Sequence, residues 1–408
     1  MTQHRPQDCS SHNVAQPTDP KEPLGLKRRH FMGTALALDA AALLAACNGG
    51  GVGWSEGDIA GAGSASGSGS GSGSVSPPNY PCLVSTWAGT GANTPLTDGT
   101  GATATFNTPY GVVVDSSGQV YVADFANHAV RKISPQGVVS TLAGVGGVYG
   151  TDNGTGATAK FSNPTGVALD NSGHVYVADH ANHAVRKITP QGVVSTLAGM
   201  SLKGYVDGSG GTAKFNAPSS VVVDSSGHVY VADYGNHLIR KISPAGVVST
   251  LAGMRAAGYV DGTVGTAKFD GPSGVVVDTS GNLYVADQNN RCVRQITPAG
   301  VVSTLAGLRP VVSVYGTGTA SKYTSPFGIA VDHSGQVYVS DSINCQICKI
   351  SLGGVIGTLA GVFGFPGYLD GSGATARFSI PFGIDVDSSG QLYVADYGNN
   401  RIRKITPI

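Results

Sequence analysis

Glutamate stands at Glu22 and Glu56 and nowhere else in 408 residues. Any acid, base or metal-ligand role beyond residue 56 that requires a carboxylate must therefore be filled by aspartate. Cysteine is also sparse, with six in the chain, too few for a disulfide scaffold. Charged residues make up 12%, with 25 basic and 25 acidic side chains. Residues 1–46 hold five basic and four acidic ones, leaving 20 against 21. A near-neutral remainder lacks the basic face that phosphate neutralisation needs, which excludes nucleic acid as a partner. Apolar runs are short as well. The longest, following Met32 and broken by Asp39, falls below the roughly 18 residues of a transmembrane helix.

What the chain has in quantity is repetition. Phe-x-x-Pro, with tyrosine once in place of phenylalanine, recurs at Phe106, Phe161, Phe215, Phe269, Tyr323 and Phe378, at spacings of 55, 54, 54, 54 and 55 residues. Such a period sets the fold before any local reading does. In the third copy, Val221–Asp224 and Val229–Asp233 are short β-branched and aromatic runs separated by Ser-Ser-Gly, the pattern of a tight hairpin. Leu238–Ser243 and Val247–Ala252 follow around Ser-Pro-Ala-Gly, with proline and glycine at favourable turn positions. Each unit is thus a four-stranded antiparallel meander. Six of them arranged radially cover each other's faces, so the expected fold is an all-β, six-bladed β-propeller over residues 80–408.

The ends of the chain indicate how the ring closes. The sixth copy stops at Pro407-Ile408 without a fourth strand, while Leu83–Gly89 matches the fourth strand Val247–Gly253 and precedes the first copy. An N-terminal strand completing the last blade would leave no open edge.

The units resemble NHL repeats. Asn236-His237-Leu238 spells the motif, and Asp-x-x-Asn-His recurs at Asp124–His128 and Asp179–His183. The resemblance covers about 320 residues. It implies the propeller fold and a platform that in relatives serves scaffolding, sensing, RNA binding or lyase chemistry. The lactonases of similar fold use a glutamate among their channel ligands, which this chain lacks. The lyases use histidines about a central zinc, and the inner strands here, Gly111–Asp115 and equivalents, contain none. No cofactor and no metal is therefore expected. A metal-assisted lyase or hydrolase in the central channel is the alternative to a non-catalytic binding propeller.

Residues 1–46 are separate from the fold. Lys27-Arg28-Arg29-His30-Phe31-Met32 before an Ala/Leu-rich run resembles a twin-arginine export signal, and Leu44-Ala45-Ala46-Cys47 resembles a lipobox. The resemblance implies cleavage before Cys47, a lipid anchor on that thiol and display on a bacterial cell envelope. Asn48 implies the outer membrane if the cell is Gram-negative. Residues 47–79 are rich in Gly, Ser and Ala and read as a flexible tether.

Several residue sets invite functional readings. His128, His183 and His237 sit at one place in adjacent blades, about 10 Å apart, too far to share a zinc bound at about 2.1 Å. A polar turn tying the second and third strands is the expectation, with a His180/His183 surface metal site as the alternative. Asp124, Asp179, Asp233, Asp287, Asp341 and Asp396 recur at one strand end and read as architecture. Asp98, Asp207, Asp261 and Asp370, each followed by glycine, read as turn formers. Cys345 and Cys348 fall at the start of a third strand, about 10 Å apart if extended, beyond disulfide reach. Opposite strand parity would allow a Cys292–Cys345 bond, but substituted strand positions are the simpler expectation.

Two departures from the repeat point to a site. Asp385 falls where the other inner strands carry Val113, Ala168, Val222, Val276 and Ala330. A carboxylate in that slot must find a partner or shift its pKa. A satisfied internal hydrogen bond is the ordinary outcome and chemistry the alternative. The middle residue of Pro-x-Gly, or of its equivalent Pro218-Ser219-Ser220 in the third copy, reads Tyr110, Thr165, Ser219, Ser273, Phe327 and Phe382 around the ring. Because blade six abuts blade one, three aromatics and three hydroxyls form two contiguous arcs at the channel mouth. That pattern suits a sugar, a peptide or a protein segment that stacks on one side and hydrogen-bonds on the other.

Overall fold

Residues 80–307, 316–317, 323–351 and 354–408 are described by the computed structural model. Both leading segments, 1–46 and 47–79, lie outside the described residues, and Cys47 with them.

The third repeat shows how sequence becomes blade. Its strands are Pro218–Val223, Val229–Asp233, Leu238–Ile242 and Val247–Ala252, paired antiparallel in chain order. In the first hairpin, Asp224 Oδ1 accepts from the N–H groups of Ser226 and His228, both at 2.9 Å. Gly227 takes the φ of +80° that the turn needs. The other five repeats form the same meander.

One element was not legible in the four-strand pattern. In five blades a two-residue strand from the loop leading into the blade pairs with its outermost strand: Gly99–Thr100, Gly208–Ser209, Gly262–Thr263, Gly316–Thr317 and Gly371–Ser372. Blade two has a single bridge there, Gly154 with Val194. The blades are therefore four- to five-stranded, and the added pair covers an outer edge that would otherwise be free to template aggregation.

Closure follows the expected route. Cys82–Ala88 lies between the last strand, Arg401–Pro407, and Gly371–Ser372. It pairs Val84 with Ile405 and Thr86 with Arg403, and a register shift then brings Ala88 opposite Ile402. Blade three has the same irregularity beside Arg240, where Ile239 pairs with Ala252, so the N-terminal strand reproduces a fourth strand down to its bulge.

The core lies between blades. Each buried apolar cluster joins two neighbours. One packs Ala168, Tyr176 and Ala178 of blade two on Phe215, Val221 and Val231 of blade three. Another packs Tyr393, Ala395 and Ile402 of blade six on Phe106, Val112 and Val122 of blade one. Close approach also needs the Pro-x-Gly glycine, since a Cβ on Gly111 would sit 2.2 Å from the Thr165 carbonyl oxygen.

Candidate functional site

In five of the six blades a buried ion pair ties the third strand to the aspartate that ends the second. In blade one, Arg131 Nη1 donates to Asp124 Oδ2 and to the Thr105 carbonyl, both at 2.8 Å. Nη2 donates to the Thr97 carbonyl at 2.9 Å and to Asp98 Oδ1 at 2.7 Å. The guanidinium also lies over the Phe106 ring, 5.2 Å from its centroid. Asp124 and Arg131 are fully buried, whereas Asp98 is about half exposed. Arg240, Arg294 and Arg403 make the same set with Asp233/Asp207, Asp287/Asp261 and Asp396/Asp370. In blade two Asn153 replaces the outer aspartate of Arg186. The strand-end aspartates are thus architectural, as expected. Asp98, Asp207, Asp261 and Asp370 do more than form turns: each supplies the second carboxylate to a buried guanidinium. Burial pushes the carboxyls of Asp179, Asp233 and Asp287 up to about 6, while their arginines and hydrogen bonds pull the other way.

Blade five breaks the set. Cys348 stands opposite Val339, the register at which Arg131 faces Val122. Tyr323 replaces the phenylalanine. Asp341 is held by the N–H groups of Thr324 and Ser325, each at 3.0 Å, and by Asn344 Nδ2 at 2.7 Å. Cys82, Cys292, Cys345 and Cys348 are all buried thiols outside any disulfide, so no Cys292–Cys345 bond forms.

The histidines of the Asn-His turn bridge blades rather than strands. His128, His183 and His237 take left-handed φ values of 51–59°, and each Nδ1 accepts a backbone N–H from the next blade. The donors are Asn163 at 3.1 Å, Ala217 at 3.0 Å and Gly271 at 3.0 Å. In blade six Asn400 Oδ1 does the same for Thr108, at 2.8 Å. A ring nitrogen that accepts must be unprotonated, and burial lowers the pKa of His128 and His183 accordingly. His180 is buried with Nδ1 3.1 Å from the Pro218 carbonyl, and burial brings it down to about 4. The Nδ1 atoms of His180 and His183 thus serve different backbone partners. Among the described residues no group of three His, Cys, Asp or Glu side chains is arranged to hold a metal ion.

The six Pro-x-Gly residues form the expected two arcs, but packed inward. Phe327 stacks on Phe382 at 4.0 Å between centroids, Phe382 lies 4.8 Å from Tyr110, and Tyr110 meets Phe327 at 5.2 Å. Tyr110 and Phe327 come from non-adjacent blades, so these rings converge over the channel axis. Phe125 and Tyr397 extend the cluster, at 5.5 and 6.3 Å from Tyr110. The other arc is engaged with the backbone. Thr165 Oγ1 lies 3.2 Å from the carbonyls of both Ala178 and Pro218, and Ser219 donates to Pro272 at 3.0 Å. Ser273 Oγ lies 3.0 Å from the Phe327 carbonyl. All six side chains are at most 4% exposed. The outer rim of this face, where Phe125 is half-buried, is what solvent meets.

Below the aromatic rings runs a channel of about 140 Å³, walled by the inner strands and including Val113, Ala168, Val222, Val276 and Asp385. Asp385 Oδ2 accepts the N–H of Val114, in the next blade, at 2.8 Å. Burial in this apolar wall is the main reason its pKa rises, to about 7, with Asp387 adding to the effect and the N–H groups of Val114 and Val386 opposing it. Asp385 is thus both bonded and shifted, and remains partly accessible in the channel.

A ring of six repeated meanders, closed by its own N-terminal strand around a narrow channel, defines a six-bladed β-propeller. The sequence matches the NHL repeat at residues 106–133, 161–188, 215–242, 269–296 and 378–405, one stretch in each of five blades, with blade five outside the matched stretches. Over 281 residues it is 32% identical to Protein SUPPRESSOR OF QUENCHING 1, chloroplastic, of Arabidopsis thaliana, covering 64% of this chain. This chain spans about a quarter of that relative, 26%. Among solved structures, an auxiliary nutrient binding protein from Bacteroides thetaiotaomicron superposes with a TM-score of 0.61 at 18% identity, over 80% of this chain and 76% of that one. A gluconolactonase from Xanthomonas campestris gives 0.52 at 13%, over 81% and 97%. These likenesses show the fold.

Proposed function

We propose that this propeller is a non-catalytic binding platform, exported and lipid-anchored through Cys47 to a bacterial cell envelope. Its ligand is a peptide, a protein segment or a glycan on the Pro-x-Gly face. The observation that carries the reading is the aromatic cluster Tyr110, Phe125, Phe327, Phe382 and Tyr397, drawn from three blades. Phe125 is half-buried and its ring stacks on the buried Tyr110, which already holds it in place. Rigid aromatic surface of this kind suits stacking on a sugar or a side chain. The test is a glycan and peptide screen followed by Phe125→Ala and Phe327→Leu, with melting curves to confirm folding. At least a tenfold loss of affinity is expected for Phe125→Ala. Unchanged affinity in both folded variants would refute this face.

The anchor is tested separately. Cys47→Ser is expected to move the protein from the membrane fraction to the soluble fraction, because acyl chains supply the affinity and a Gly/Ser tether supplies none. Equal partition of the variant and the wild type would remove the anchor from the proposal.

A metal-assisted lyase or hydrolase has one observation in its favour, the raised carboxyl of Asp385 in the channel. Against it, the described channel lining offers no second carboxylate, histidine or cysteine to share proton transfer or metal binding. Stoichiometric calcium or zinc in the purified protein would favour this reading.

A further inference from the structure

The channel is a site of its own, distinct from the aromatic face above it. Its wall is glycine, valine, alanine, isoleucine and leucine, with small hydroxyls and the Tyr110 and Phe327 rings at one end. A single ionisable carboxylate, Asp385, interrupts it. That carboxylate accepts from two backbone N–H groups, those of Val114 and Val386, out of roughly four acceptor positions it offers. The unused capacity faces a cavity that solvent reaches, since Asp385 is not fully buried. The volume, about 140 Å³, is close to the roughly 150 Å³ of an apolar cavity that holds benzene.

We propose that the central channel binds a small organic monocation of about six heavy atoms, an alkylammonium whose charged end rests on Asp385 and whose hydrocarbon lies along Val113, Val222 and Val276. Shape and charge select together. An apolar wall favours hydrocarbon, and a carboxylate in it favours a group that is cationic and donates hydrogen bonds. A neutral alcohol of the same length would fill the space without pairing the charge. A carboxylic acid anion would meet like charge in a low-dielectric slot. Metal ions suit the site poorly, because one carboxylate among hydrocarbon cannot supply the six or more oxygens that calcium takes.

The experiment is isothermal titration of the wild-type protein at pH 8, where Asp385 is ionised, with n-butylammonium, n-butanol and butyrate as probes. Asp385→Asn and Asp385→Val are titrated in parallel. Valine is the residue that blades one, three and four carry at this position, so the second variant keeps the wall intact. The wild type is expected to bind butylammonium at least tenfold more tightly than butanol or butyrate. Both variants should lose that preference, and Asp385→Val should keep its affinity for butanol. No preference in the wild type would overturn the proposal, and so would a preference that survives in either folded variant. The wild-type comparison stands even if a variant fails to fold.

Discussion

Deleting residues 80–89 is expected to destabilise the propeller by about 5 kcal/mol or more and to drive it towards aggregation. The deletion removes Cys82–Ala88, the strand that pairs with both Arg401–Pro407 and Gly371–Ser372. Each lost ladder bond costs about 0.5–1.5 kcal/mol. The loss of buried Val84 costs about 2 kcal/mol more. The sum is comparable with the whole stability of an ordinary domain, about 5–15 kcal/mol. It would also uncover the outer edge of Arg401–Pro407 as a template for pairing. Differential scanning calorimetry and size-exclusion chromatography read the two effects. A truncated protein with the wild-type melting temperature and elution volume would refute ring closure by this strand.

Arg240→Ala is expected to cost about 3–5 kcal/mol, because it strands the fully buried Asp233 without its cation. Asp207→Ala removes the half-exposed outer partner of the same arginine and should cost about 1 kcal/mol or less. Urea denaturation of the two variants separates them. Equal losses would mean that the inner pair contributes no more than a surface one. Blade five indicates how the cost can be reduced. There, with cysteine at the arginine position, Asp341 accepts the N–H of Ser325 as well as that of Thr324, the latter equivalent to the Asn107 N–H that Asp124 accepts.

The role of the buried arginines is not legible in the sequence. Ala-Val-Arg-Lys-Ile puts two cations side by side on a strand, and alternation says only that they face opposite ways. Recurrence does not tell them apart: arginine returns seven residues after five of the six strand-end aspartates, at Arg131, Arg186, Arg240, Arg294 and Arg403, and gives way to Cys348 after Asp341, while the lysine is likewise kept in five copies and gives way to Gln295. The meander, the period and the closing strand were legible because β-branched runs, turn residues and a displaced copy are each local patterns. The two-residue edge strands were not, since Gly-Thr or Gly-Ser is too short to carry a period. In the sequence the histidines look like strand ties, because a turn motif fixes the backbone but not the blade that its side chain reaches. At the candidate site, the residues at the channel mouth followed from repeat position alone. Their burial did not, because it depends on how closely glycine lets six strands converge.

The closing strand also has a mechanical consequence. Strands alternate direction within a blade, so the fourth one starts at the face opposite Pro-x-Gly, and the chain enters the propeller there, beside the C-terminus. The N–H of Ile408 donates to the Pro81 carbonyl at 3.1 Å. A load carried between the entering chain and a ligand on the Pro-x-Gly face would run parallel to Cys82–Ala88. Ladder bonds lie perpendicular to the strand, so such a load strains them all in shear at once instead of unzipping them singly, and the seam that closes the ring is oriented to resist being pulled.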